Sequence, residues 1–172
     1  MSPLAAQLAE AVGLFETETK GMGLARAERM SAKVGPLLQW IHWYRSHFQS
    51  SSALDLLSGT RASALEAMAY VSVGLGRAAL MAIRTQIDLM LSFTYFKDHP
   101  VEWERVRTTG EGFMLRGDIY SYHKTSDKGF LSRLAMIESK AQVSLEDLYK
   151  TLSAHIHGQS PFTVPDSKRS PT

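Results

Sequence analysis

Apolar residues recur at three- and four-residue spacing through most of this chain, the period of a helix with one buried face. Leu4, Leu8, Val12 and Phe15 predict a first helix that ends near Gly21–Gly23. A second is predicted over Leu24–Val34. Gly35-Pro36 then resets the direction, because proline suits a first helical turn, and a third helix covers Leu37–Phe48. Ser50-Ser51-Ser52 reads as a loop, followed by a short turn to Gly59. Leu65, Met68, Ser72, Leu75, Ala79, Ala82, Gln86, Leu89 and Phe93 then keep heptad spacing, which predicts one long helix over Arg61–Phe96. Its other faces are also apolar or small, so it is placed at the centre of the fold.

Asp98-His99-Pro100 breaks that helix, and Glu102 and Glu104 fall in the first turn of a fifth, where the helix dipole favours carboxylates. Gly110, Gly112 and Gly117 leave the next stretch unassigned. A sixth helix is predicted near Leu131–Lys140. Ser144-Leu145-Glu146-Asp147 is a helix-start signature, so the last helix runs from Ser144 as cap to His157, with Gly158 as its stop. The chain has no asparagine, hence no Asn-Gly hairpin turn, and no run of alternating β-branched residues. The fold class expected is all-α: a single helical domain of six to seven helices over residues 1–158. Residues 159–172, rich in Pro and Ser, form a tail or partner-docking arm.

A length of 172 residues and 44% hydrophobic content suit one domain with a real core. The absence of cysteine excludes disulfides, thiolate metal sites and a thiol nucleophile. Met1–Glu10 lacks a basic region and a long apolar run, so no signal peptide is expected. Arg77, Arg84 and Asp88 interrupt the most apolar span, which argues against a membrane segment. A soluble cytoplasmic protein is expected. The net charge of +2 makes no global case for nucleic acid, but its distribution does. From Lys20 to Arg61, six Lys and Arg side chains face two carboxylates, Glu28 and Asp55. Arg26, Arg29 and Lys33 share a helix face, and Trp40, Trp43, Tyr44 and Arg45 follow. Cations hold phosphates and aromatic rings stack on bases, so Arg26, Arg29, Lys33 and Arg45 are candidate nucleic-acid contacts. A solvated stripe beside an aromatic core has the same pattern.

The richest chemistry lies in Leu148-Tyr149-Lys150-Thr151-Leu152-Ser153-Ala154-His155-Ile156-His157-Gly158. At about 100° per residue, Leu145, Leu148, Tyr149, Leu152 and Ile156 form an apolar face. Glu146, Lys150, Ser153 and His157 flank it, and His155 falls on the other side. His157 is therefore expected to share a groove with Lys150 and Ser153. Histidine exchanges protons near neutral pH, and a nearby cation stabilises developing phosphorane charge; two part-exposed histidines at a helix end, where a cation favours the dipole, have the same pattern. Histidines at i and i+2 diverge on a helix and no carboxylate motif accompanies them, so neither a metal nor a cofactor is expected. Arg84 and Asp88 lie one turn apart among apolar residues, where charges need partners. The two read either as an intrahelical ion pair that orders the core or as an acid–base pair facing a cleft shared with the last helix; arginine before aspartate is the weaker helix-pair order, which slightly favours a partner elsewhere.

Two segments resemble the HEPN superfamily, small all-α domains found in toxins, abortive-infection systems and CRISPR-associated ribonucleases. One is Arg84-Thr85-Gln86-Ile87-Asp88 running into Tyr95-Phe96-Lys97-Asp98-His99-Pro100. The other is Tyr149 to Gly158. The resemblance implies a dimer that places two Arg-x4-6-His motifs in one RNA-cleaving cleft, without metal. It implies Lys150, Ser153, His155, His157, Arg84 and Asp88 as catalytic candidates. The motif arginine is Lys150 here, four residues from His155 counting those between, and six from His157. Lysine keeps the charge and loses the planar fork that suits phosphate. Three functions stay open. They are a HEPN-like ribonuclease of a host–mobile-element defence system or its non-cleaving relative, a nucleic-acid-binding subunit of a ribonucleoprotein, and a protein-binding adaptor.

Overall fold

The computed structural model describes residues 2–158, so the 159–172 tail lies outside the described residues. The fold is all-α, as the periodicity predicts, with eight α-helices and one π-helical turn among the described residues. Helix α1, Pro3–Glu18, starts where Ser2 Oγ accepts the Ala5 amide at 3.2 Å and Pro3 takes the first turn. It does not stop at the glycines. A π-helical turn, Thr19–Gly23, carries it directly into α2, Leu24–His47. Gly23 is what the π turn needs: a Cβ there would come within 2.9 Å of the Ser72 carbonyl.

Pro36 lies inside α2 rather than at a helix start, so the two helices expected over Leu24–Val34 and Leu37–Phe48 are one. Val34 and Ile41, a heptad apart, are both buried, and their packing outweighs the proline's lost amide bond. The long helix expected over Arg61–Phe96 is likewise corrected. It is an antiparallel pair, α3 Leu54–Ser72 and α4 Gly76–Phe96. Gly74 turns the chain between them with φ +79, a conformation that costs an L side chain energy. The break resets the phase. In α4 the expected Ala79, Ala82 and Phe93 are buried, whereas α3 buries Leu57, Thr60, Ser63, Ala64 and Ala67 instead of Leu65 and Met68. These small residues let the pair approach closely, with Leu89 packed where Gly59 has no side chain.

Helix α5, Pro100–Thr109, starts at its proline and ends at Gly110 with φ 73. Helix α6, Arg116–Ser126, occupies the stretch the glycines obscure. Then come α7, Phe130–Ala141, and α8, Leu145–His157. Ile41, Leu56, Leu57, Phe93, Tyr95, Phe96, Trp103 and Ile119 form the core. The indole of Trp103 donates to the Ser52 carbonyl at 2.8 Å, and the Tyr95 hydroxyl donates to Glu102 at 2.7 Å. Helix α4 packs against α3, α5, α6 and α8, so the central position belongs to it alone. Among the described residues no helix is long and apolar enough to cross a membrane.

Candidate functional site

Helix α8 forms as its sequence predicts. Ser144 Oγ accepts the Asp147 amide at 3.0 Å, and Gly158 ends the helix with φ 60. Glu138 of α7 accepts the Leu145 amide at 2.8 Å, fixing the entry of the helix. Leu152, 3% exposed, is its buried anchor. Helix α8 lies antiparallel to α4. Arg77, at the start of α4, donates to the Ile156 carbonyl, one of the last-turn carbonyls that the helix itself leaves unpaired.

Further along this seam four polar side chains meet. Arg84 Nη1 lies 3.0 Å from His157 Nε2, and Arg84 Nε donates to the Tyr149 hydroxyl at 3.2 Å. That hydroxyl donates to Asp88 Oδ2 at 3.3 Å. Arg84 Nε is 3.9 Å from the same carboxylate oxygen, so the intrahelical pair is loose and the closer partners come from α8, as the Arg-before-Asp order predicts. Arg116 of α6 covers the Tyr149 ring at 4.1 Å from its centroid, a cation–π contact. Guanidinium only donates, so His157 Nε2 is the acceptor in this contact. Burial pushes the Asp88 carboxyl above its ordinary range. The Tyr149 hydrogen bond and the charges of Arg84 and Arg116 oppose that rise.

The structure therefore brings Arg84, Asp88 and His157 together, but it does not bring Lys150 to them. Lys150 is 66% exposed and reaches back one turn to Glu146 at 3.0 Å. The pairing raises its pKa and lowers that of Glu146. Of the groove expected around His157, the α4 wall is lined by Arg84 and Asp88, whereas Lys150 turns away to Glu146. His155 is half-buried and outside the cluster, consistent with its helical phase. The Ser153 hydroxyl is buried and finds no hydrogen-bond partner among the described residues. Tyr149 and Arg116 are the members that sequence reasoning missed. Tyr149 reads as part of the apolar face, although its position two turns before His157 was a usable signal. Arg116 stands in the glycine-broken stretch, where no periodicity marks it.

The basic residues of α2 divide. Arg26 donates to Glu18 at 2.6 Å and packs beside Gly74, tying the α3–α4 turn to the end of α1. Arg45 donates to Ser58 at 2.5 Å on the inner side of α2, in a groove of about 260 Å³ shared with His42 and Arg61. Only Arg29 and Lys33 remain together on the exposed outer face. The four cations thus do not form one stripe. Among the described residues no three His, Asp or Glu side chains converge as a metal site requires. No family model, curated protein or solved structure matches the chain.

Proposed function

We propose that this protein is a HEPN-like RNA-binding protein of a host–mobile-element defence system, and that the α4–α8 seam is a metal-independent endoribonuclease site. The observation that carries the reading is the contact between Arg84 and His157, an arginine–histidine pair at an exposed helix end with Arg116 close by. Arg84 and Arg116 offer planar donors to one phosphodiester. When a phosphate draws Arg84 away, His157 Nε2 is released as general base. It takes the proton of a ribose 2′-hydroxyl, the oxygen attacks phosphorus, and the P–O5′ bond breaks. The leaving O5′ takes that same proton back from the His157 imidazolium, which restores the neutral imidazole. The products are a 2′,3′-cyclic phosphate and a 5′-hydroxyl, with no water or oxidant consumed.

The test is cleavage of labelled single-stranded RNA in excess chelator. The wild-type protein is expected to yield cyclic-phosphate ends, and His157→Ala to lose about 10²–10⁴-fold in rate while keeping its helical spectrum. Equal rates in the two proteins overturn the enzymatic reading. One observation favours a second reading, a non-cleaving RNA-binding subunit. Arg84 engages the lone pair that a general base must keep free. That reading predicts RNA binding without cleavage, weakened by Arg84→Ala and little changed by His157→Ala.

A further inference from the structure

The outer face of α2 carries Arg29, Lys33, Pro36, Trp40, Trp43 and His47, separated alternately by four and three residues and all exposed. That spacing puts them in one row along the helix. Trp40 is 57% and Trp43 55% exposed, although tryptophan is highly buried on average. The two indoles meet edge to face at 6.1 Å, and the His47 ring stacks on Trp43 at 5.1 Å and 9°. Gln39, Trp40 and Trp43 line an open hollow of about 400 Å³, large enough for a nucleobase. Glu28 is the one carboxylate of α2, about 100° around the helix from Arg29. The row therefore offers cations at one end, aromatic faces at the other and no negative charge between.

We propose that this row is a binding track for single-stranded RNA, with Arg29 and Lys33 on phosphates, Trp40 and Trp43 stacked on bases, and Gln39 on a base edge. This rests on the RNA reading above and names the form of substrate. Exposed indoles need unstacked bases, which a duplex does not offer. The charge pattern selects the occupant: an apolar peptide would leave the cations unused, and a second copy would set Arg29 and Lys33 against an equally basic row. The row is about 27 Å long, matching single-strand sites that begin near four nucleotides.

The probe is a 2′-O-methyl oligouridylate of about ten nucleotides. It has no free 2′-hydroxyl, so it binds without being cut. Trp103 is buried at 7% exposure, which assigns an emission change to Trp40 and Trp43. Titration is expected to quench wild-type emission. By fluorescence anisotropy of a labelled probe, Trp40→Ala and Trp43→Ala are each expected to weaken binding about tenfold. Arg29→Glu with Lys33→Glu is expected to flatten the salt dependence by a slope of about 1.4. Wild-type binding untouched by the tryptophan changes overturns the track and leaves the α4–α8 reading standing. No binding by the wild type overturns both. A tryptophan variant that turns a dimer into a monomer with unchanged RNA affinity makes the row a self-interface, and the proposal falls.

Discussion

Replacing Tyr149 by phenylalanine isolates one oxygen at the centre of the α4–α8 seam. The ring stays, and with it the contacts of Arg84 and Arg116 with its face. What is lost is a hydroxyl that accepts from Arg84 at 3.2 Å and donates to Asp88 at 3.3 Å. Hydrogen bonds to charged groups contribute about 1.5–3 kcal/mol when well formed. Both of these are long, and the Arg84 and Asp88 side chains are 27% and 35% exposed, so water partly replaces the lost partner. A total loss of about 1–2 kcal/mol is expected.

The pH dependence sharpens this prediction. Burial holds the Asp88 carboxyl above its ordinary 3.8, and the Tyr149 hydroxyl is the leading influence that pulls it back. A carboxyl raised in the folded state favours folding below its unfolded pKa, and that contribution is lost as pH rises through the folded value. Removing the hydroxyl raises Asp88 further, so the variant's deficit grows between about pH 4 and neutrality. Urea unfolding followed by circular dichroism at pH 4 and pH 7 measures it. The midpoint is expected to fall at both, more at pH 7, with the slope unchanged. In an Asp88→Asn background the extra deficit at pH 7 is expected to vanish. A deficit that is larger at pH 4, or a Tyr149→Phe protein as stable as the parent at both, refutes the contact network.

Three further outcomes are expected. Gly74→Ala forces φ +79 on a residue with a Cβ, and thermal unfolding is expected to report a loss of about 1–2 kcal/mol; an unchanged midpoint would deny the left-handed turn between α3 and α4. Leu152→Ala removes the anchor of α8 and is expected to cost about 2–5 kcal/mol in urea; an unchanged midpoint would deny that α8 is held by this side chain. Burial and the bond to Glu102 push the Tyr95 hydroxyl up to about 12, so the stability it contributes below pH 10 is lost as pH rises from 10 through 12; absorbance titration near 295 nm is expected to show a late-ionising component, beside that of Tyr120, which burial also raises, and Tyr95→Phe is expected to remove it.

What the sequence made legible was local. Ser144, Pro100 and Gly158 mark helix ends because capping and backbone freedom are properties of a few adjacent residues. The errors lie where tertiary contact outweighs them. Pro36 signals a helix start, yet burial of Val34 and Ile41 on either side carries α2 through it. The heptad pattern runs past Gly74 unbroken, so nothing periodic warns that the chain reverses there. At the site, Arg84 and Asp88 stood out as charges among apolar neighbours, and helical phase separated His157 from His155. Phase also suggested Lys150, but a flexible side chain goes to its nearest charge, and Glu146 one turn earlier captures it. Arg116 comes from a third helix, and no spacing along one helix encodes that meeting.

The seam's electrostatics bear on its purpose. Arg77, Arg84 and Arg116 approach α8 with Asp88 as the carboxylate among them, and burial raises the Asp88 pKa against their charge. A seam meant only to hold two helices together would gain more from apolar packing, because removing ions from water costs more than loose pairing returns. The cluster instead keeps its cations part-exposed and satisfies them with weak acceptors: a carbonyl, a hydroxyl, an imidazole nitrogen and an aromatic face. Each of these yields to an anion without leaving a buried charge unpaired. On the ribonuclease reading proposed above, a phosphodiester would complete this arrangement of cations held by replaceable partners around an exposed histidine. On that same proposal, His157 Nε2 would be free for proton transfer only once the phosphate had displaced Arg84, which would tie the chemistry to the bound state.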